Sequence, residues 1–391
     1  MTTLNKNEKS SLLSKSLFTI TLIMILLRKY MISILRTDLP MGSVTSLLFY
    51  GSIALLFIQF LLLKKHNITE LSILAISCLL YVMTREGSIL VLTLLAISIR
   101  YIDDDYVVKS YVLLTIFFVF ACILLGNLRH DIAQVPQVHY RFAGGKYIPR
   151  ETFGFTNPNS VFLFLLPVFA GYIYLRYENY NMIDRILLFV TTYFIYNKTM
   201  SRTGFLTIIV ALIFVDIVRN LDFKKYSKIA KSIKFIPIVF LIISVAIGTI
   251  LSNVKLFSKL LASRPIHWNV YLAKEGSLFT LFGNKYSDIV KASHPLDSSY
   301  IYIVAMLGIV SLIFFMYLLY KGLDIFIKKE QKKYIIIVFM FLIYSLAENI
   351  LLEAGYNFTI ILLIKHVMNN NQNNFYIRDL LRQNKFIQKR A

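Results

Sequence analysis

Long apolar runs dominate the chain and alternate with short polar connections. The runs are about 17–22 residues long, which is the length that an α-helix needs to cross the hydrocarbon core of a bilayer. They predict twelve spans, at about 16–35, 44–63, 68–84, 88–102, 110–126, 159–176, 185–199, 203–218, 235–252, 299–319, 334–350 and 355–367. The sequence therefore predicts an all-α, polytopic integral membrane protein with a single membrane domain over residues 1–391.

Composition agrees with the apolar runs. The 391 residues are 57% hydrophobic and only 16% charged, whereas ordinary soluble domains carry roughly 25% charged residues. This excludes a soluble globular enzyme, a disordered tail and a coiled coil. Both cysteines, Cys78 and Cys122, fall inside apolar runs, so they indicate neither a disulfide framework nor a zinc site.

Positive charge in the connections predicts the orientation. The net charge is +21, and lysine and arginine are densest at 219–234 and 321–333. Because cytoplasmic connections carry an excess of these residues, both termini are predicted to be cytoplasmic, including a basic tail at 368–391. Topology and attraction to anionic lipid account for this charge, so nucleic-acid binding is not expected.

Two long connections are predicted to face outward, at 127–159 and 253–298. Long loops on a protein with otherwise short turns are common places for function. Within the second loop, residues 254–262 place leucine and phenylalanine at helical spacing, which predicts an amphipathic helix in the membrane interface. Trp268 follows it and is expected to anchor the loop at that interface.

The end of the first loop contains a turn signal at Asn157-Pro158. Asn159 or Ser160 can then cap the sixth span by accepting hydrogen bonds from its free N–H groups. One interpretation is a turn and a cap alone. The alternative is that the turn presents its amides, with nearby Arg150, to a ligand at the membrane surface.

A second candidate lies at the start of the eighth span. Ser201 is a plausible N-cap, and Arg202 falls in the first helical turn. A cation there is unfavourable with the helix dipole unless an anion compensates it, and helix N-termini bind phosphate. Phosphate contact and a snorkelling structural arginine both remain open. In the second loop, Arg264 and His294 form a third candidate, since His294 lies at the mouth of the tenth span.

These residues resemble a known family. In chain order they are Gly-Phe-Thr-Asn-Pro-Asn at 154–159, Ser-Arg-Thr-Gly at 201–204, Arg264, and His294 before a span that continues to Gly308. The pattern is similar to the O-antigen and capsular polysaccharide polymerase family (Wzy), which is related to the O-antigen ligases. It covers roughly residues 100–320. The chain departs from the family at Pro295, where many relatives have asparagine after the histidine.

The resemblance implies a GT-C-like glycosyltransferase that needs no cofactor, nucleotide sugar or metal. Such an enzyme transfers a growing glycan from undecaprenyl diphosphate to a new lipid-linked repeat unit. The reaction takes place at the outer face of the bacterial cytoplasmic membrane. Implied partners are the two lipid-linked substrates, the bilayer, a chain-length regulator and a flippase.

The chemistry of this reaction assigns roles to the candidates. The diphosphate leaving group gains negative charge, which must be stabilised, and guanidinium groups bind phosphate bidentately. The predicted clamp residues are Arg202 and Arg264, then Arg150, then Arg141, supported by Asn157, Asn159, Ser201 and Trp268. His294 is the predicted base for the acceptor hydroxyl, since histidine is the side chain best suited to proton transfer near neutral pH. Asp297 is either a second choice of base or the group that orients His294.

Three alternatives stay open at this point. A ligase-like enzyme would use the same chemistry with another acceptor. A lipid-linked oligosaccharide flippase also suits twelve spans, but a transporter should place more charges deep within its spans. A structural or scaffold role is the third.

Overall fold

A computed structural model describes residues 6–35, 41–63, 65–129, 133, 139–143, 145–261, 263–370 and 374–376. In chain order the helices are α1 (Lys6–Ile34), α2 (Gly42–Leu62), α3 (Ile68–Thr84), α4 (Ser88–Ser98), α5 (Asp104–Leu128), α6 (Ser160–Arg176), α7 (Met182–Thr199), α8 (Arg202–Asn220), α9 (Ser227–Ser232), α10 (Ile236–Gly248), α11 (Lys255–Leu260), α12 (Arg264–Asn269), α13 (Asp288–Ser293), α14 (Ser299–Tyr302), α15 (Gly308–Lys328), α16 (Lys332–Tyr344) and α17 (Phe358–Asn369). The strands are β1 (Lys65–Asn67), β2 (His139–Ala143), β3 (Lys146–Arg150) and β4 (Asn374–Tyr376). The basic tail predicted at 368–391 lies mostly outside the described residues.

Every predicted span contains a helix, although several of these helices are shorter than the span. Seven helical segments are long and apolar enough to cross a bilayer. They are Leu12–Ile34, Gly42–Leu62, Asp104–Leu128, Ser160–Asn179, Arg202–Asn220, Ser227–Gly248 and Ser299–Lys328. The helices at the other predicted spans are shorter or more polar. The all-α membrane class is confirmed, whereas twelve crossings and the sidedness of the termini stay predictions.

Two short helices form the centre of the bundle. Most side chains of α16 and α17 are buried by neighbouring helices. In contrast, α2 buries only Ser52, Leu56 and Gln59 and turns its other side chains outward. An apolar outer surface around a packed centre is the arrangement expected of a bundle in lipid.

The segment 127–159, which is predicted to face outward, contains a β-hairpin that the apolar pattern did not predict. Strands β2 and β3 pair antiparallel, with His139 opposite Arg150 and Arg141 opposite Ile148. The chain then returns to the bundle through Gly154, which has φ +85° and packs its backbone against α5. An added Cβ at Gly154 would lie 2.9 Å from the Cys122 carbonyl oxygen, so this close approach requires glycine.

In the segment 253–298, which is predicted to face outward and is called the second outer segment below, the predicted helix is present and one other prediction is wrong. A helix forms inside the predicted range 254–262, as α11. Trp268, however, is not an interface anchor: it is 1% exposed and packs in a small core with Tyr271 and Ile301. The sequence shows the amphipathic indole ring but not the loop that folds back to bury it.

Part of this outer segment is inserted against the start of α15. The Asn284 N–H donates to the Ala305 carbonyl at 2.8 Å, and the Ile309 N–H donates to the Thr280 carbonyl at 2.9 Å. The helix widens to a π-turn over 303–307 before it breaks at Gly308, which has φ +78°. The outer segment is therefore tied to a membrane helix by backbone hydrogen bonds.

Candidate functional site

The junction between α7 and α8 gathers three of the predicted arginines. Helix α7 ends at Met200, which adopts the left-handed conformation. The carbonyls that close this helix are used by the hairpin: Arg150 Nε donates to the Thr199 oxygen at 2.7 Å, and Arg141 Nη1 donates to the Met200 oxygen at 2.5 Å. Cations at a helix C-terminus are favourable with its dipole, so these two arginines also hold the hairpin in place.

Arg202 is placed differently from the other two. It is the first residue of α8 and its side chain is exposed, and no described side chain forms an ion pair with it. Ser201 occupies the N-cap position in extended conformation, but its buried hydroxyl makes no capping hydrogen bond. The first helical hydrogen bond is from Phe205 N–H to the Ser201 carbonyl, so the preceding N–H groups of the turn are available to a ligand.

The three guanidinium groups repel one another. Burial lowers the pKa of Arg141, and the charge of Arg202 lowers it further. Burial likewise lowers the pKa of Arg150, with a contribution from Arg141. Among the described residues, no carboxylate pairs with any of the three. Such a concentration of positive charge is stabilised by an anion.

The turn predicted at Asn157-Pro158 is present. The Asn159 N–H donates to the Asn157 side-chain oxygen at 2.9 Å. Asn159 precedes α6 but does not cap it; its side-chain oxygen instead accepts from Arg150 Nη2 at 2.7 Å. The capping prediction for Asn159 is thus wrong, because the nearby guanidinium competes successfully for the same oxygen.

Arg264 bridges three separate parts of the chain. Its Nε donates to Asp297 Oδ2 at 2.9 Å, its Nη2 to Glu348 Oε1 at 2.8 Å, and its Nη1 to Thr203 Oγ1 at 3.2 Å. The side chain is only 11% exposed. Because Thr203 follows Arg202 directly, this last contact brings Arg264 to the first turn of α8.

His294 is paired with a second histidine. The Nδ1 atoms of His294 and His267 lie 3.0 Å apart, and the His294 carbonyl accepts from the Tyr271 hydroxyl at 2.7 Å. One Nδ1 must donate and the other must accept, so the pair favours a single proton at this position. Burial lowers the pKa of His267, nearby His294 lowers it further, and Asp297 opposes the change.

The structure brings the predicted residues into two neighbouring groups. One is the arginine cluster, defined as Arg141, Arg150 and Arg202; the other is the Arg264 network, defined as Arg264, Asp297, Glu348 and Thr203. Within the described residues, Asp297 is hydrogen-bonded to Arg264 and not to His294. Trp268 lies beneath the loop as a core residue.

Three participants were missing from the predicted site: Glu348, Thr203 and His267. Glu348 could have been found from the sequence, since a carboxylate inside the apolar run 334–350 needs a partner. Thr203 lies inside the Ser-Arg-Thr-Gly motif, and His267 lies in the same loop as Arg264. The described part of the chain contains no group of three His, Cys, Asp or Glu residues arranged to hold a metal ion.

Comparison with known proteins gives no match. No family model, no curated protein and no solved structure is similar to this chain at a significant level.

Proposed function

We propose that the protein is a membrane glycosyltransferase that polymerises lipid-linked repeat units. In the proposed reaction, a growing glycan on undecaprenyl diphosphate is transferred to a new lipid-linked unit at the outer face of the cytoplasmic membrane. The observation that carries the proposal is the arginine cluster beside the N-terminus of α8, where no described carboxylate offsets the charge.

The donor diphosphate is proposed to bind at this N-terminus. Arg202 is exposed there, the first N–H groups of α8 are free of helical partners, and both favour phosphate oxygens. Arg141 and Arg150 add positive electrostatic potential from the hairpin. They do so while they remain hydrogen-bonded to the carbonyls at the C-terminal end of α7. Negative charge that develops on the leaving diphosphate is thus stabilised by groups already in position.

Arg264 is proposed to orient the first turn of α8 and to contact the leaving group with its remaining donors. Its guanidinium has five N–H bonds, and three hydrogen bonds hold it to Asp297, Glu348 and Thr203. The two carboxylates fix its plane, so a lysine cannot reproduce the arrangement.

The His267–His294 pair is the proposed acceptor of the proton. The acceptor hydroxyl oxygen attacks the anomeric carbon, the bond from that carbon to the diphosphate oxygen breaks, and the hydroxyl proton passes to His294. His267 keeps the ring of His294 oriented through the Nδ1 contact. General-base help of this kind is typically worth about 10²–10⁴-fold.

The experiment is an in vitro transfer assay with purified protein and a synthetic oligosaccharide on a polyprenyl diphosphate. A ladder of longer lipid-linked products is expected from the wild type. Arg202→Lys should lower the rate by roughly 10²-fold or more, the scale of a lost transition-state donor. His294→Ala should abolish chain growth while the donor still binds. Lys274→Gln, an exposed cation in the same outer segment, serves as the matched control.

The outcomes separate the competing functions. Transfer to an added acceptor without a ladder would favour a ligase-like enzyme. Movement of the intact lipid-linked unit across vesicles, with no new glycosidic bond, would favour a flippase. Wild-type ladders from both Arg202→Lys and His294→Ala would contradict the proposed roles of these residues.

A further inference from the structure

A polar cavity lies beside Tyr302 of α14 and is separate from the residues of the Arg264 network. It has a volume of ≈ 420 Å³, within the roughly 300–1,000 Å³ typical of small-molecule sites. Its walls come from α1, α2, the turn between α3 and α4, Tyr302 of α14, and the non-helical segment 352–355. One wall is the turn at 85–87, where the apolar helix α3 ends and α4 begins, and the ends of membrane helices are expected at the level of lipid headgroups.

The charges in this cavity, which is called the headgroup cavity below, do not cancel. Its walls carry three cations and two carboxylates: Arg28, Lys29 and Arg85 against Glu86 and Glu353. If all five are ionised, the excess is one positive charge. A ligand with a single negative charge would neutralise it.

Both carboxylates are already committed to partners. Glu353 forms an ion pair with Lys29 at 2.6 Å. Glu86 accepts from the Ser88 hydroxyl at 2.8 Å and from the Tyr302 hydroxyl at 2.9 Å. Neither carboxylate is therefore engaged by the two arginines.

The two guanidinium groups lack an anionic partner among the described residues. Arg28 lies over the ring of Phe49, with 4.9 Å from its central carbon to the ring centroid. Its Nε is shielded from solvent and makes no hydrogen bond. Arg85 ends α3 in the left-handed conformation with φ 62° and lines the cavity. A buried donor without an acceptor is costly unless a ligand supplies one.

We infer that this cavity binds the phosphodiester headgroup of an anionic bilayer lipid. The phosphate oxygens accept from Arg28 and Arg85, and one phosphodiester charge balances the excess in the walls. Headgroup hydroxyls can donate to free lone pairs on Glu86 and Glu353. Phe49 and Tyr50 of α2 supply an aromatic edge near the lipid, as is common at bilayer interfaces.

The inference does not rest on the proposed transfer activity. The test is native mass spectrometry of the full-length protein in detergent with added phosphatidylglycerol. Retention of one lipid should be at least about tenfold lower in Arg28→Gln/Arg85→Gln, because both charge-assisted hydrogen bonds to the phosphate are lost. Lys255→Gln, an exposed outer cation outside the cavity, should retain lipid like the wild type.

Two further arms identify the source of the phosphate and protect against a misfolded variant. Phosphatidylglycerol should raise the melting temperature of the wild type in proportion to occupancy, whereas inorganic phosphate should not. Arg28→Lys/Arg85→Lys should partly restore lipid retention. Equal retention of zwitterionic phosphatidylcholine, stabilisation by inorganic phosphate alone, or full retention in the double glutamine variant would each overturn the inference.

Discussion

At the scale of single residues, three side-chain hydrogen bonds hold Arg264 in place. Its two carboxylate partners come from positions 33 and 84 residues further along the sequence. A charge that is 11% exposed cannot be left without partners, since desolvation is expensive. The network therefore fixes the second outer segment to the bundle as well as orienting one guanidinium.

Removing one partner tests this network directly. Glu348→Gln leaves Arg264 largely buried with one carboxylate fewer, and because Asp297 still pairs with it the cost stays below the about 3–5 kcal/mol of a buried charge left with no partner. We expect a clear fall in melting temperature, measured by thermal denaturation in detergent. Glu275→Gln, an exposed acid in the same outer segment, should leave the melting temperature unchanged. Equal melting temperatures for Glu348→Gln and the wild type would show that the pair adds no stability.

The histidine pair predicts a pH dependence of stability. The pKa of His267 is lowered in the folded protein, while an unfolded histidine titrates near 6.5. Between those two values the unfolded chain binds more protons, so stability rises with pH and is lost as pH falls below about 6.5. His267→Gln should flatten this slope in melting temperatures measured from pH 5 to 8.

Lys274→Gln is the control for that series, because lysine does not titrate in this range. It should keep the wild-type slope. An identical slope in His267→Gln would assign the pH dependence to other groups.

Only some of these residues could be found from sequence. Arg202, Arg264 and His294 stand out because cations and a histidine at helix ends that are predicted to face outward oppose the usual charge pattern. The contact between Arg264 and Glu348 depends on a loop folding back over the bundle, and no local pattern encodes it. The same folding buries Trp268, which sequence reasoning placed at the membrane interface.

At the scale of elements, hydropathy located the helices well. Each predicted span contains helix because a backbone in lipid must satisfy its own hydrogen bonds. The β2–β3 hairpin and the π-turn at 303–307 were not predicted. Both depend on contacts with other elements. The hairpin depends on the carbonyls at the end of α7, and the π-turn depends on the loop residues 280–284 that are inserted against it.

Gly283 is the element-scale test of that insertion. It has φ +85°, and an added Cβ would lie 2.0 Å from the Met306 carbonyl oxygen. Gly283→Ala should therefore destabilise the fold by more than the ~1–2 kcal/mol of a left-handed residue alone, seen as a lower melting temperature. Gly42→Ala is the matched control, since a Cβ there meets nothing within 4 Å. A stable Gly283→Ala protein would mean that the insertion is not tightly packed.

At the scale of the whole molecule, sidedness is the property that the proposed function most needs. In a background with Cys78 replaced by alanine, Asp288→Cys should react with an impermeant thiol reagent added outside cells. Lys225→Cys should react only after the membrane is opened, because it lies in the most basic connection. Both side chains are exposed, so accessibility depends on sidedness alone.

A reversed labelling pattern would contradict the outer location of the Arg264 network. Labelling of both positions from outside would instead indicate leaky cells, and a cytoplasmic marker enzyme checks for that.

The Ser299 hydroxyl ties α14 to the non-helical segment that follows α16. It donates to the Glu348 carbonyl at 2.9 Å and accepts from the N–H groups of Ile350 and Leu351 at 2.9 and 3.0 Å. Glu348 faces Arg264, while Glu353, a few residues on, faces the headgroup cavity. The short segment 348–355 thus contributes residues to both sites. By thermodynamic reciprocity, a lipid that changes affinity for an anion at Arg264 must have its own affinity changed by the same factor.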